Sequence, residues 1–155
     1  MNEDFYMEKE ADYFMGLAIE EARNVLTEDE VPIGALVVRG QEILSRAANA
    51  SIRMNDPTAH AEILAIREAC LLSGNYRLPG ADLYVTLEPC AMCLGAAQQA
   101  RIRRLIYGAD DPKSGAAGSI MTFPWKALNH EIEIRGGIRA EECGKILKDF
   151  FKARR

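Results

Sequence analysis

Apolar residues return at helical spacing from about Met7 to Leu26, with Met7, Ala11, Phe14, Ala18, Ala22 and Val25 on one side, and the spacing predicts an amphipathic first helix. The pattern then changes. Val31-Pro32-Ile33-Gly34-Ala35-Leu36-Val37-Val38 is continuously apolar and reads as a buried strand, with Arg39-Gly40-Gln41 as a tight turn into an antiparallel partner near Glu42 to Ala48. Asp56-Pro57 offers an N-cap followed by a proline in the first turn. A second helix is therefore expected from there to about Ser73, stopped by Gly74, with His60 and Glu62 in its first turn.

Asp82 to Leu87 is a short strand that Pro89 breaks, ahead of a helix from about Ala91 to Ala100 rich in small residues. Arg104 to Gly108 is a further strand and Asp110 to Ser119 a polar, glycine-containing loop; a last strand near Glu131 to Arg135 leads to a terminal helix from about Ala140 to Ala153. This order predicts an α/β fold, a three-layer αβα sandwich whose mixed five-stranded sheet carries helices on both faces. With neither repeats nor a linker, residues 1–155 read as a single domain.

Length and composition add limits rather than detail. A chain of 155 residues can bury roughly 70% of its unfolded surface, so a metal is not needed to hold it folded. The acidic N-terminus, Asn2-Glu3-Asp4, lacks the cationic and apolar regions of a secretory signal, and the run Val31 to Val38 is too short to span a bilayer. A cytoplasmic protein without membrane attachment is expected. The formal net charge of −4 speaks against indiscriminate binding to nucleic acid, yet selective binding needs only a local basic patch.

Candidate chemistry sits in two stretches. Thr58-Ala59-His60-Ala61-Glu62 supplies an imidazole and a carboxylate, and Glu88-Pro89-Cys90-Ala91-Met92-Cys93 supplies two thiols. Cys90 and Cys93 are three apart, so on a helix they differ by about 60° around the axis and can grip one ion. A helix N-terminus also favours the thiolate. With His60 as third ligand, one zinc ion per chain keeps a fourth position for water, and Glu62 is the nearby base. Residues two apart point to opposite sides of a helix, so this pair works only at a helix start. A closed structural zinc or a redox dithiol is the rival reading of Cys-x-x-Cys taken alone. Cys70, some ten residues beyond His60, and Cys143 in the last helix read as structural thiols, and His130 as a surface or packing residue.

The two motifs together, His60-Ala61-Glu62 and Pro89-Cys90-Ala91-Met92-Cys93, resemble the zinc-dependent nucleobase deaminases of the cytidine/deoxycytidylate deaminase superfamily. The resemblance extends through Val31 to Ala35, Asp56 to Glu62, Thr86 to Cys90, Arg101-Ile102 and Gly108-Ala109. Lys113 to Ser119 and Asp149-Phe150-Phe151 narrow it to members acting on tRNA adenosine. It implies a cytidine deaminase-like fold, no organic cofactor, a homodimer, and hydrolytic conversion of adenosine to inosine at the wobble position of a tRNA anticodon arm. Glu62 would shuttle the proton, while the Ala61 N–H and the Glu88 carbonyl orient the reacting groups. Asn49 would hydrogen-bond the base, with a plain turn residue as the alternative.

Asp111, Lys113 and Ser114 would meet ribose and phosphate, and Phe151 neighbouring nucleotides, unless it is core. The cationic tail, Lys145, Lys148, Lys152, Arg154 and Arg155, suits a single-stranded RNA loop. Arg101, Arg103 and Arg104 either extend that patch or are ordinary surface charges. Ala65 to Cys70 and Cys93-Leu94-Gly95-Ala96 are also similar to guanine deaminases of the same fold, so a free-base guanine or cytosine deaminase stands as the alternative.

Overall fold

The apolar run after the first helix becomes the strand β1 (Gly34–Arg39), which pairs on both edges and is buried on both faces in the computed structural model, where residues 2–154 are described. Ala35 and Val37 point into one core and Leu36 and Val38 into the other, because successive side chains of a strand face opposite ways. Continuous hydrophobicity is thus the mark of a strand covered twice.

The remaining elements arrange themselves around it. In chain order they are α1 (Glu3–Arg23), β1, β2 (Glu42–Ala48), α2 (Ala61–Ser73), β3 (Ala81–Leu87), α3 (Ala91–Gln99), β4 (Arg104–Ala109), β5 (Glu133–Arg135) and α4 (Ala140–Lys152), with a short 3₁₀ turn at Trp125–Ala127. The strands lie in the order β2-β1-β3-β4-β5. Both pairings of β1 are antiparallel, and those of β4 are parallel. Helices α1 and α4 cover one face through Phe14, Met15, Ile19 and Cys143, packed on Leu36, Val38, Tyr84 and Ile106. Helices α2 and α3 cover the other through Ala65, Ala69, Leu94 and Ala97, packed on Val37, Leu83, Val85 and Leu105. The architecture is the expected three-layer sandwich. Among the described residues no helix is long and apolar enough to cross a membrane.

Helix α1 begins at Glu3, before the apolar periodicity starts, because Asn2 Oδ1 accepts the Phe5 N–H at 3.1 Å and caps it. Residues 31–33 stay outside the strand. Pro32 has no N–H to give to a ladder, and β1 starts at Gly34, whose N–H goes to Thr86 Oγ1 at 3.1 Å. A Cβ at Gly34 would strike the Ala18 carbonyl and the Ala22 nitrogen, so α1 rests backbone-on-backbone against β1.

The largest departure from the sequence pattern concerns α2, which starts at Ala61 and not near Pro57. Asp56 does cap, but locally: its Oδ1 accepts the Thr58 N–H at 2.8 Å and the Thr58 hydroxyl at 2.7 Å, closing a turn instead of opening a helix. Gly74, in the left-handed conformation at φ 66°, ends α2 where expected.

Candidate active site

The later start of α2 changes how its functional residues are presented. His60 is the N-cap, with extended backbone at φ −73° and ψ 152°, and Glu62 is the second helical residue. Their side chains are therefore not held to the helical angle that would part them. The equivalent position on α3 is Cys90, also extended at φ −78° and ψ 173°, with Cys93 fully buried one turn in. Two helix entrances thus face one another, that of α3 at the end of a buried strand and that of α2 after a largely exposed turn.

His60 Nδ1 lies 3.7 Å from Cys90 Sγ and 3.5 Å from Cys93 Sγ, and the three donor atoms all fall within 4.8 Å of one another. Zinc–nitrogen and zinc–sulfur bonds of ordinary length at a tetrahedral angle give an N···S edge of about 3.6 Å. The His-Cys-Cys group is positioned for a metal ion. The thiols themselves are unequal. A hydrogen bond from Cys93 leads the causes that draw the Cys90 thiol down to about 4, whereas that same bond, burial and the Glu62 charge push Cys93 up. Both thiols would bind a cation as thiolates, so its arrival would displace the protons they hold.

Glu62 is 4% exposed and within hydrogen-bonding reach of Cys93. Burial drives its carboxyl well above the ordinary carboxylate range, and the neighbouring Cys90 charge pushes the same way. A carboxyl so placed, beside the metal-binding group, is positioned to exchange protons with a reacting molecule there. Its entrance is braced from outside, because Asn49, at the end of β2, accepts the Ala61 N–H on Oδ1 at 2.9 Å. Only the oxygen of the amide can accept, so the NH₂ end turns away from the helix. The Ala61 N–H that the resemblance assigns to the reacting group is thus engaged by Asn49.

Glu88 precedes the α3 entrance and is 2% exposed. Its carboxylate gathers four hydrogen bonds: Oε1 accepts from the Asp111 N–H at 3.0 Å and from the Ser119 hydroxyl, and Oε2 from the N–H groups of Ala117 at 2.9 Å and Ser119 at 3.1 Å. Burial works against the charge, but these bonds outweigh it and hold the carboxyl below its ordinary value. Asp111 is itself occupied, its Oδ1 accepting the N–H groups of Lys113 at 3.0 Å and Ser114 at 3.2 Å. It shapes the turn, while Lys113 and Ser114 are exposed.

A family model described as MafB19-like deaminase matches residues 8–155. The chain is also 49% identical over 147 residues to a tRNA-specific adenosine deaminase of Agrobacterium fabrum, covering 94% of this chain and 97% of that one. The chain belongs to the tRNA-specific adenosine deaminase family. Among solved structures, this deaminase superposes with a TM-score of 0.81 at 48% identity on one from studies of A-to-I editing by tRNA:A34 deaminases at the wobble position of transfer RNA. That match covers 87% of this chain and 99% of the other. A guanine deaminase of Bacillus subtilis is more distant, at 28% identity and a TM-score of 0.61 over 84% of this chain and 98% of its own.

Outside the centre of the deaminase, the candidate RNA-facing residues divide. Phe151 is 49% exposed and stacks edge-on against Phe150, which takes the core position. In the cationic tail, Lys145 pairs with Asp149, and Arg154 pairs with Asp29 while lying over the Phe150 ring at 3.6 Å. Lys148 and Lys152 are exposed with no carboxylate in ion-pair reach among the described residues, and Arg155 lies outside them. Arg103 and Arg104 do not extend this patch, since both grip the buried Asp82 carboxylate, at 2.9 and 2.7 Å. Arg101 donates to the Gln98 carbonyl at 2.8 Å.

Cys143 is buried, Cys70 half-buried on α2, and His130 Nε2 meets the Ile102 carbonyl at 2.8 Å. The Glu88 carboxylate and Ser119 are the pair that sequence reasoning passed over. The available signal was a charge just past the end of a buried strand, two positions before Cys90.

Proposed function

We propose that this deaminase hydrolyses adenosine to inosine at the wobble position of a tRNA anticodon, in the cytoplasm, with one zinc ion per chain held by His60, Cys90 and Cys93. The observation that carries the reading is a buried carboxyl, Glu62, beside a His-Cys-Cys group whose N···S distances of 3.7 and 3.5 Å suit a tetrahedral ion. The family membership and the 48% identity to the structure concerned with tRNA:A34 deaminases support the choice of substrate.

His60, Cys90 and Cys93 would hold the zinc, which would supply an acidified water as the nucleophile for C6 of the adenine. Glu62 would take one proton of that water and give it to N1 of the purine, then carry the proton of the new C6 hydroxyl to the amino group, so that the C6–N6 bond breaks and ammonia leaves. Asn49 presents its NH₂ to the base, held in that orientation because its oxygen is fixed by the Ala61 N–H. Ala61 thus acts through Asn49. The Glu88 carbonyl receives the amino group, and Lys113 and Ser114, on the turn shaped by Asp111, meet ribose and phosphate. Phe151 stacks on a neighbouring nucleotide, and Lys148 and Lys152 attract the backbone.

The protein acts as a homodimer in this reading. A groove of about 730 Å³ between α2 and α3, lined by Ile63, Ile66, Leu71, Tyr76 and Met92, suits the second copy. Leu71 and Tyr76 are each more than 70% exposed there, an apolar patch of the kind that marks an interface. Incubation with an anticodon-arm RNA bearing a wobble adenosine, and separately with free bases and nucleosides, tests the function. Inosine in the RNA is expected. Ammonia released from free guanine or cytosine alone would replace this reading with a small-molecule deaminase.

A further inference from the structure

A buried charge beside the site has no part in the chemistry above. The Glu88 carboxylate meets no cation among the described residues, and all four of its hydrogen bonds come from residues 111–119. Each bond to a charged acceptor is stronger than one between neutral groups, and burial removes the competition from water. The next residue adds a fifth tie, because the Pro89 carbonyl accepts the Ala116 N–H at 2.9 Å. Gly115 closes the arrangement. Its Cα lies so near the carboxylate that a Cβ there would collide with it. The loop is thus wrapped around one side chain, two positions before Cys90.

We propose that Glu88 is a positioning residue whose carboxylate locks the loop 111–119 to the metal-binding turn, setting Lys113 and Ser114 at a fixed reach from the reacting base so that they recognise the ribose-phosphate of the target nucleotide. The role rests on the reading of that loop as the RNA-facing one. It belongs to the side chain and is separate from any contact made by the Glu88 carbonyl. Loop geometry and metal geometry are then one unit, and the nucleotide is measured between them.

Glu88→Gln tests this, because one oxygen becomes an NH₂ that cannot accept from the N–H donors facing it. Ser119→Ala removes a single bond and serves as the milder companion should Glu88→Gln fail to fold. Metal content, hydrogen exchange of residues 111–119, and kcat and KM on the anticodon-arm RNA are measured for both. Glu88→Gln is expected to keep one zinc per chain, to speed exchange in the loop, and to raise KM about tenfold while kcat falls less than about threefold. Ser119→Ala should move exchange and KM the same way by less.

Unchanged loop exchange overturns the proposal, as does faster exchange with an unaltered KM. Lost zinc with a collapse of kcat would place Glu88 in support of the metal turn instead. If the wild-type protein leaves the wobble adenosine intact, the substrate reading fails and takes the positioning role with it; failure in the variants alone leaves that reading standing.

Discussion

The two helix entrances that meet at the metal site look alike but are braced in opposite ways. At α2 the brace comes from outside the helix, where Asn49 reaches the Ala61 N–H from the end of β2. At α3 the fixing runs outward, from Glu88 and Pro89 into the loop 111–119. In the proposed function the first entrance carries one ligand and the residue that moves protons, and the second carries two ligands and anchors the rim. Ion binding should therefore be most sensitive at α3, and proton transfer at α2.

Cys93→Ala gives the largest effect, because it removes one of three ligands from a buried position. Zinc content by atomic absorption should fall from one per chain to a small fraction, and turnover should fall below detection. Retention of tightly bound zinc would break the assignment of two ligands to α3. Glu62→Gln comes next and separates the entrances most sharply, since zinc should stay bound while kcat drops about 10²–10⁴-fold, the usual range for a general acid–base group. If the zinc leaves with the carboxylate, α2 supplies two ligands and the contrast disappears.

Asn49→Ala should be milder. It deletes the bond to the first N–H of α2 and with it about 1–2 kcal/mol of stability, measurable as a shift of the urea midpoint. KM for the RNA should rise as well, because the base loses its NH₂ partner. A variant of unchanged stability would mean that α2 needs no external cap. The smallest effect belongs to the rim. Replacing both Lys148 and Lys152 with Ala should reduce the slope of log K against log salt by about 1.4, at about 0.7 per phosphate contact on single-stranded RNA. An unaltered slope would remove the end of α4 from the binding surface.

How far these features could be read from the sequence depends on whether their partners are local. The strand β1 was legible because burial on both faces leaves no polar position between Gly34 and Val38. Cys90 and Cys93 were legible because their spacing and the preceding Pro89 define a helix start by themselves. The start of α2 was not, since Asp56-Pro57 carries the usual opening signals and spends them on a turn with Thr58, while the N-cap is His60 and the first helical N–H, of Ala61, is met by Asn49, twelve residues upstream. Arg103 and Arg104 resemble a basic patch until β3 and β4 pair in parallel and bring Asp82 beside them. The Glu88 carboxylate was hidden for the same reason, as its donors arrive 23 to 31 residues later.

Asp82 and its two arginines stand at the start of β3, and Cys90 follows just beyond its other end. Seven residues of strand place roughly 20 Å between them. A buried carboxylate gripped by two guanidinium groups can be exchanged for apolar packing, or strengthened, with consequences for folding free energy of either sign. Such exchanges act at a distance where substitutions usually add independently of the chemistry. The strand works as a spacer between two evolutionary accounts of the molecule: one end can adapt to temperature while the other keeps its reaction unchanged.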